Sequence, residues 1–173
     1  MQKSRENKII LVVIIACVLL VCGIFIWLIN TFGSQKVEDS FMGFRKGDFT
    51  VVEENDTHGG FHGDGTYFLV LDCSKKKELA MELVKGWKEF PLSENLNTVL
   101  YGSGTRGALL LKEEGSIPII MNGYYYFCDR HSKSTDSRDD SDLLSRNSYN
   151  FTLAIYDSDT NKFYYMDFDT YEI

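Results

Sequence analysis

The residues best equipped for chemistry lie in one short run, Asp56-Thr57-His58-Gly59-Gly60-Phe61-His62-Gly63-Asp64-Gly65. Two of the chain's three histidines fall in it, four positions apart, between Asp56 and Asp64. Neutral imidazole and carboxylate are the usual ligands of zinc-class ions. The third histidine, His131, follows Asp129-Arg130 at the end of a predicted strand. If that strand end reaches the glycine run, His58, His62 and His131 converge on one ion, with Asp56 or Asp64 as base. That arrangement is a metal-dependent hydrolase. The glycines equally suit a ligand or partner that approaches the backbone closely. Asp56, His58, Gly59, Gly60, His62, Asp64, Arg130 and His131 are therefore the candidate binding residues. The plainer reading is a wide turn. Asp-Thr and Gly-Asp-Gly are ordinary turn material, and histidines four apart on a loop share no helical face.

Other constellations are thinner. Asp157-Ser158-Asp159-Thr160-Asn161 starts like a calcium loop, but Lys162 stands where that loop needs glycine and Phe168 where it needs glutamate. There is no nucleophile elbow, phosphate loop or Cys-x-x-Cys. A ligand- or partner-binding domain is thus the first reading and a hydrolase the second. A structural or assembly subunit, which needs no site, is the third.

The elements that must position the glycine run come from periodicity. Phe49–Glu54 is β-branched and bounded by turn residues, which predicts a strand. Four glycines in the eight residues 58–65 exclude helix and disfavour strand. Thr66–Cys73 is apolar on both faces, as a doubly covered strand is. Leu79, Leu83 and Trp87 make an apolar stripe, which predicts a helix over 75–89, capped by Ser74 and stopped before Pro91. Thr98–Tyr101 reads as a short strand. Ile119–Met121 and Tyr124–His131 read as a hairpin around Asn122-Gly123. Ser132–Asp142 is polar throughout and reads as an outer loop. Ser148–Tyr156 and Phe163–Asp169 alternate across a turn at 157–162, with Phe151, Leu153 and Ile155 on one face and Tyr164, Met166 and Phe168 likewise. The expected fold is α+β: an antiparallel sheet of five or six strands with one main helix packed on it.

Residues 9–29 carry no charge, Asn, Gln or Pro. A helix of that length spans about 30 Å, the thickness of a bilayer's hydrocarbon. Lys3, Arg5 and Lys8 precede it against Glu6 alone, so the N-terminus is expected in the cytoplasm. The expected organisation is a cytoplasmic tail at 1–8, a transmembrane helix at 9–29, a linker at 30–40 and an extracytoplasmic domain at 41–173. The protein would then be a single-pass cell-membrane protein, its outer domain meeting a small ligand or a protein at the cell surface. Residues 31–173 hold 24 of the 25 acidic residues and 15 of the 18 basic ones, a balance that excludes nucleic acid as partner. In an oxidising compartment Cys73 and Cys128 are disulfide candidates; unpaired strand cysteines are the alternative.

The run at 56–65, Trp87, Pro-Leu-Ser-Glu-Asn-Leu at 91–96, Tyr-Tyr-Phe-Cys-Asp-Arg-His at 125–131 and Asn-Phe-Thr-Leu-Ala-Ile-Tyr-Asp at 150–157 carry a resemblance. The chain resembles an uncharacterised family of small membrane-anchored or lipoprotein-like proteins of Gram-positive bacteria. The resemblance implies a cell-surface setting and brings no activity with it.

Overall fold

Eight strands and two short α-helices follow one another among the residues that the computed structural model describes: Val18, Leu20, Val21, Gly23 and residues 40–59, 64–103 and 116–170. β1 (Ser40–Phe41) and β2 (Phe44–Arg45) pair with each other. β3 (Thr50–Asp56), β4 (Gly65–Asp72), β5 (Lys88–Glu89), β6 (Gly123–Asp129), β7 (Tyr149–Asp157) and β8 (Lys162–Thr170) form a six-stranded antiparallel sheet in the order β3-β4-β8-β7-β6-β5. The helices are α1 (Lys77–Leu83) and α2 (Glu94–Tyr101).

The β7–β8 hairpin forms where the alternation predicts it, with nine residues in each strand. Its turn is fixed locally. The Asp157 carboxylate accepts from the backbone N–H groups of Asp159 (2.9 Å) and Thr160 (3.3 Å), and Asn161 takes the left-handed conformation at φ 53°. β4 lies beside β8 and is buried on both faces, which is why its sequence shows no alternation.

One face of the sheet carries Phe68, Val70, Phe127, Phe151, Leu153, Ile155, Met166 and Phe168, covered by Leu96, Val99 and Leu100 of α2 with Ile117, Ile120 and Leu143. The other carries Leu69, Leu71, Ala154, Tyr156 and Phe163, covered by Phe44 and by Ala80 and Val84. The Phe44 ring is fully buried and stacks on Phe163 with centroids 4.0 Å apart and planes 6° apart.

The architecture is mostly sheet, which corrects the α+β expectation of one main helix. The stripe at Leu79, Leu83 and Trp87 does not run as one helix. A 3₁₀ turn, Ser74–Lys76, precedes the seven-residue α1, and Gly86 at φ +89° turns the chain into β5. Ser74 caps nothing; its N–H and hydroxyl both bond the Asp72 carboxylate. Thr98–Tyr101 is the end of α2 rather than a strand. The Ser93 hydroxyl caps that helix by accepting from Leu96 N–H at 3.1 Å. The expected hairpin around Asn122-Gly123 is absent too. Residues 116–121 are unpaired, burying Ile117 and Ile120, and β6 pairs with β7 and β5 instead.

The chain divides into two compact units, Met1–Asp39 and Ser40–Ile173. In the first, Val18, Leu20, Val21 and Gly23 are helical and exposed; the rest of 9–29 lies outside the described residues. The expected transmembrane helix is corrected: among the described residues, no helix is long and apolar enough to cross a membrane. Single-pass topology, cell-membrane localisation and an extracytoplasmic domain were inferred from that helix and go no further.

The disulfide expectation fails on geometry. Cys73 and Cys128 are free thiols. Cys128 shares a row with Thr152, Asp167 and Tyr67, while Cys73 lies beyond Asp72 at the other end of β4. Three strand spacings across and six residues along separate them by more than about 20 Å, against roughly 7 Å for a bridge.

Two outcomes follow from this burial. Cys73 is fully buried, and burial pushes its thiol up to about 12. Alkylation of the native protein in mildly alkaline buffer is therefore expected to label Cys128 and spare Cys73, with both labelled after denaturation without reductant. Peptide mapping checks this, and a native protein labelled equally at both sites contradicts it. Burial also pushes the Tyr67 and Tyr156 phenols up to about 12. Unfolded phenols ionise near about 10, so this stabilisation is complete below about pH 10 and is lost as pH rises to about 12. Denaturant midpoints are expected to fall across that window alongside phenolate absorbance; flat midpoints rule it out.

Candidate functional site

The ladder of β3 and β4 continues past the strand ends into the glycine run. Thr57 N–H donates to Thr66 O at 3.0 Å, Thr66 N–H to the Thr57 hydroxyl at 2.8 Å, and Gly59 N–H to Asp64 O at 3.2 Å. The Asp56 carboxylate accepts from His58 N–H at 3.0 Å and contacts its Nδ1 at 2.7 Å. The His58 backbone N–H and then its ring hold the Asp56 carboxyl below its ordinary range. A carboxylate only accepts, so His58 Nδ1 is the donor in this contact. Gly65 has no room for a side chain: a Cβ there would lie 2.4 Å from His58 Cα. Glycine at 65 is what lets the His58 backbone cross this close.

This closure shapes a cleft of about 580 Å³ at the end of the sheet. Thr57 and residues 64–66 form one wall, Asn147 and Tyr149 a second, and residues 168–170 a third. Three oxygens here are shielded from solvent without a hydrogen-bond partner among the described residues: Asp64 Oδ1, Thr66 Oγ1 and Asp169 Oδ1. Each such acceptor costs about 1–3 kcal/mol if nothing reaches it. Thr66 is only 1 % exposed, so bulk water does not serve its hydroxyl.

Asp169 is positioned by register. It pairs with Gly65 on one side and Asn150 on the other, and its second oxygen accepts from Asn150 Nδ2 at 2.9 Å. Arg130 extends the row. Its Nε donates to Asn150 Oδ1, its Nη1 to the Thr152 hydroxyl at 2.6 Å, and its Nη2 to the Asp167 carboxylate. Arg130 therefore reaches the cleft only through Asn150.

The set of eight candidate residues divides accordingly. Asp64 lines the cleft, and Asp56, His58 and Gly59 close the loop beside it. Gly60 and His62 lie outside the described residues. His131 is not brought near. The row from Thr57 runs through Thr66, Phe168 and Phe151 to Asp129, so His58 and His131 sit at one end of the sheet but four strand spacings, about 19 Å, apart. No ion bridges that distance with ligand bonds of about 2 Å, which corrects the reading of His58, His62 and His131 as one zinc-class site and the hydrolase built on it. Among the described residues no three His, Cys, Asp or Glu are grouped to hold a metal. Sequence reasoning missed Thr66, Asn147, Tyr149 and Asp169, because only the register of distant strands brings them to Asp64.

The remaining shielded polar atoms without a hydrogen-bond partner among the described residues, Asp142 Oδ1 and Arg146 Nε, belong to a second cluster, where Asp142 Oδ1 lies 3.9 Å from Arg146 Nη2. The Asp129 side chain is fully buried; it ion-pairs with Arg146 and accepts from His131 N–H at 2.9 Å. Asp129 N–H also donates to Ser137 O, so this pair pins the polar 130–146 segment to the end of β6.

The chain matches no family model, no curated protein and no solved structure.

Removing Arg146 would leave the Asp129 charge buried and unpaired. Arg146→Ala is expected to destabilise by about 3–5 kcal/mol. Arg130 pairs with Asp167 where the two side chains are 41 % and 36 % exposed, so Arg130→Ala is expected to cost only about 1 kcal/mol. Urea melts of the two variants check the ranking; equal costs contradict it.

Proposed function

We propose that the domain binds a small, donor-rich molecule in the cleft at the glycine end of the sheet, and that a protonated amine is the ligand class. The observation that carries this is that Asp64 and Asp169, both lining one cleft, each hold a shielded carboxylate oxygen with no hydrogen-bond partner among the described residues. An ammonium group offers three N–H donors, and a carboxylate oxygen only accepts. Two carboxylates would repel an anion and favour a cation. The volume of about 580 Å³ suits a small-molecule ligand. Binding rather than turnover is the reading, because among the described residues no nucleophile there is paired with a base.

The test is a thermal-shift and calorimetric screen of the full chain against primary amines, amino acids and amino sugars, with neutral sugars and carboxylates as comparison arms. Amines are expected to raise Tm and bind saturably. D64N and D169N are each expected to weaken that binding at least about tenfold, which is about 1.4 kcal/mol. Wild-type affinity in both variants, or tighter binding of neutral or anionic probes, overturns the proposal.

A further inference from the structure

The β6 edge contains a gap of one residue. Along β6, alternate residues send their backbone groups toward β5. Gly123 O accepts from Phe90 N–H, Tyr125 pairs with Lys88, and Asp129 N–H donates to Ser137 O. The same alternation directs the N–H and C=O of Phe127 to that edge. There β5 has ended: Gly86, at φ +89°, carries the chain away, and Phe127 has no backbone partner on that side among the described residues.

A notch of about 150 Å³ occupies this gap. Its lining holds three cationic side chains, Lys85, Lys88 and Arg138, and no acidic one, in a chain of net charge −7. The other part of its lining is aromatic, with the rings of Trp87 and Tyr126 5.9 Å apart. The cations have neighbours outside the notch: Arg138 Nε lies 3.3 Å from Asp136, Lys85 lies 3.7 Å from Glu82, and Lys88 lies over the Tyr125 ring at 6.0 Å. The two ion pairs are largely exposed and hold their partners weakly.

We propose that this notch is a binding site for a small aromatic carboxylate. The carboxylate takes the Phe127 N–H and the Arg138 guanidinium, with the Lys85 and Lys88 charges around it, and the ring lies against Trp87 and Tyr126. A volume of about 150 Å³ accepts a benzene-sized body. Guanidinium and backbone N–H together give the charge-assisted, directional contact a carboxylate favours. The site shares no residue with the cleft at the glycine end, so the two stand or fall separately.

Trp87 supplies the readout. Benzoate is titrated into the full chain carrying W27F, so that Trp87 is the only tryptophan, and its fluorescence is followed. Saturable quenching is expected. R138Q is expected to weaken it at least about tenfold and K88Q about threefold, with thermal melts confirming that both variants are folded. Inorganic phosphate and cyclohexylamine are the comparison probes. Quenching that does not saturate, an unchanged affinity in folded R138Q, or phosphate competing as well as benzoate overturns the proposal.

Discussion

The backbone ladder running β4-β8-β7-β6 is the constraint on which the remaining structure depends. Each strand in it pairs with its neighbour over seven residues or more without a shift of register. Because side chains alternate strictly, that register decides at once which residues meet on each face. It puts Phe68, Met166, Leu153 and Phe127 on one side and Leu69, Tyr165 and Ala154 on the other. It also sets the ends of the sheet, where Asp169 falls between Gly65 and Asn150. A slip of one residue would bury the polar row of Arg130, Asn150, Thr152 and Asp167 and turn out the aromatic core.

The two ends of the polar machinery differ in how their charges are met. Asp129 is buried and matched by Arg146, with His131 N–H as a further donor, so it behaves as a structural tie for the 130–146 segment. Asp64 and Asp169 each keep a shielded oxygen with no protein donor among the described residues. A shielded carboxylate oxygen without a protein donor keeps its capacity to accept. Arg130 lies between these cases. It neutralises Asp167 and orients Asn150, which in turn holds one Asp169 oxygen.

Legibility in the sequence follows how local the cause of each element is. β7 and β8 are readable because nine alternating residues outweigh any single exception. β4 is readable because burial on both faces leaves an unbroken apolar run. α2 is not, although Ser93 with Leu96, Val99 and Leu100 forms a cap and stripe. The β-forming stretch Thr98-Val99-Leu100 masks it, and packing onto the sheet decides for helix. The stripe through Leu79, Leu83 and Trp87 misleads in the opposite direction, because Gly86 breaks it with a conformation that periodicity does not encode. β1, β2 and β5 are two residues each, too short to show a period. At the site, Asp64 is visible inside its glycine run, whereas Asp169 and Thr66 are unremarkable until three distant strands align.

The order of strands in the sheet is not the order in the chain, and synthesis feels the difference. β4 and β6 flank the β8–β7 pair and have no ladder with each other. A nascent chain therefore presents β3, β4 and β6 well before the central hairpin leaves the ribosome. Until then β4, the most apolar strand, has only the exposed β3 beside it. Assembly must wait for residues 149–170, and in that interval β4 is the segment most in need of shelter from other chains.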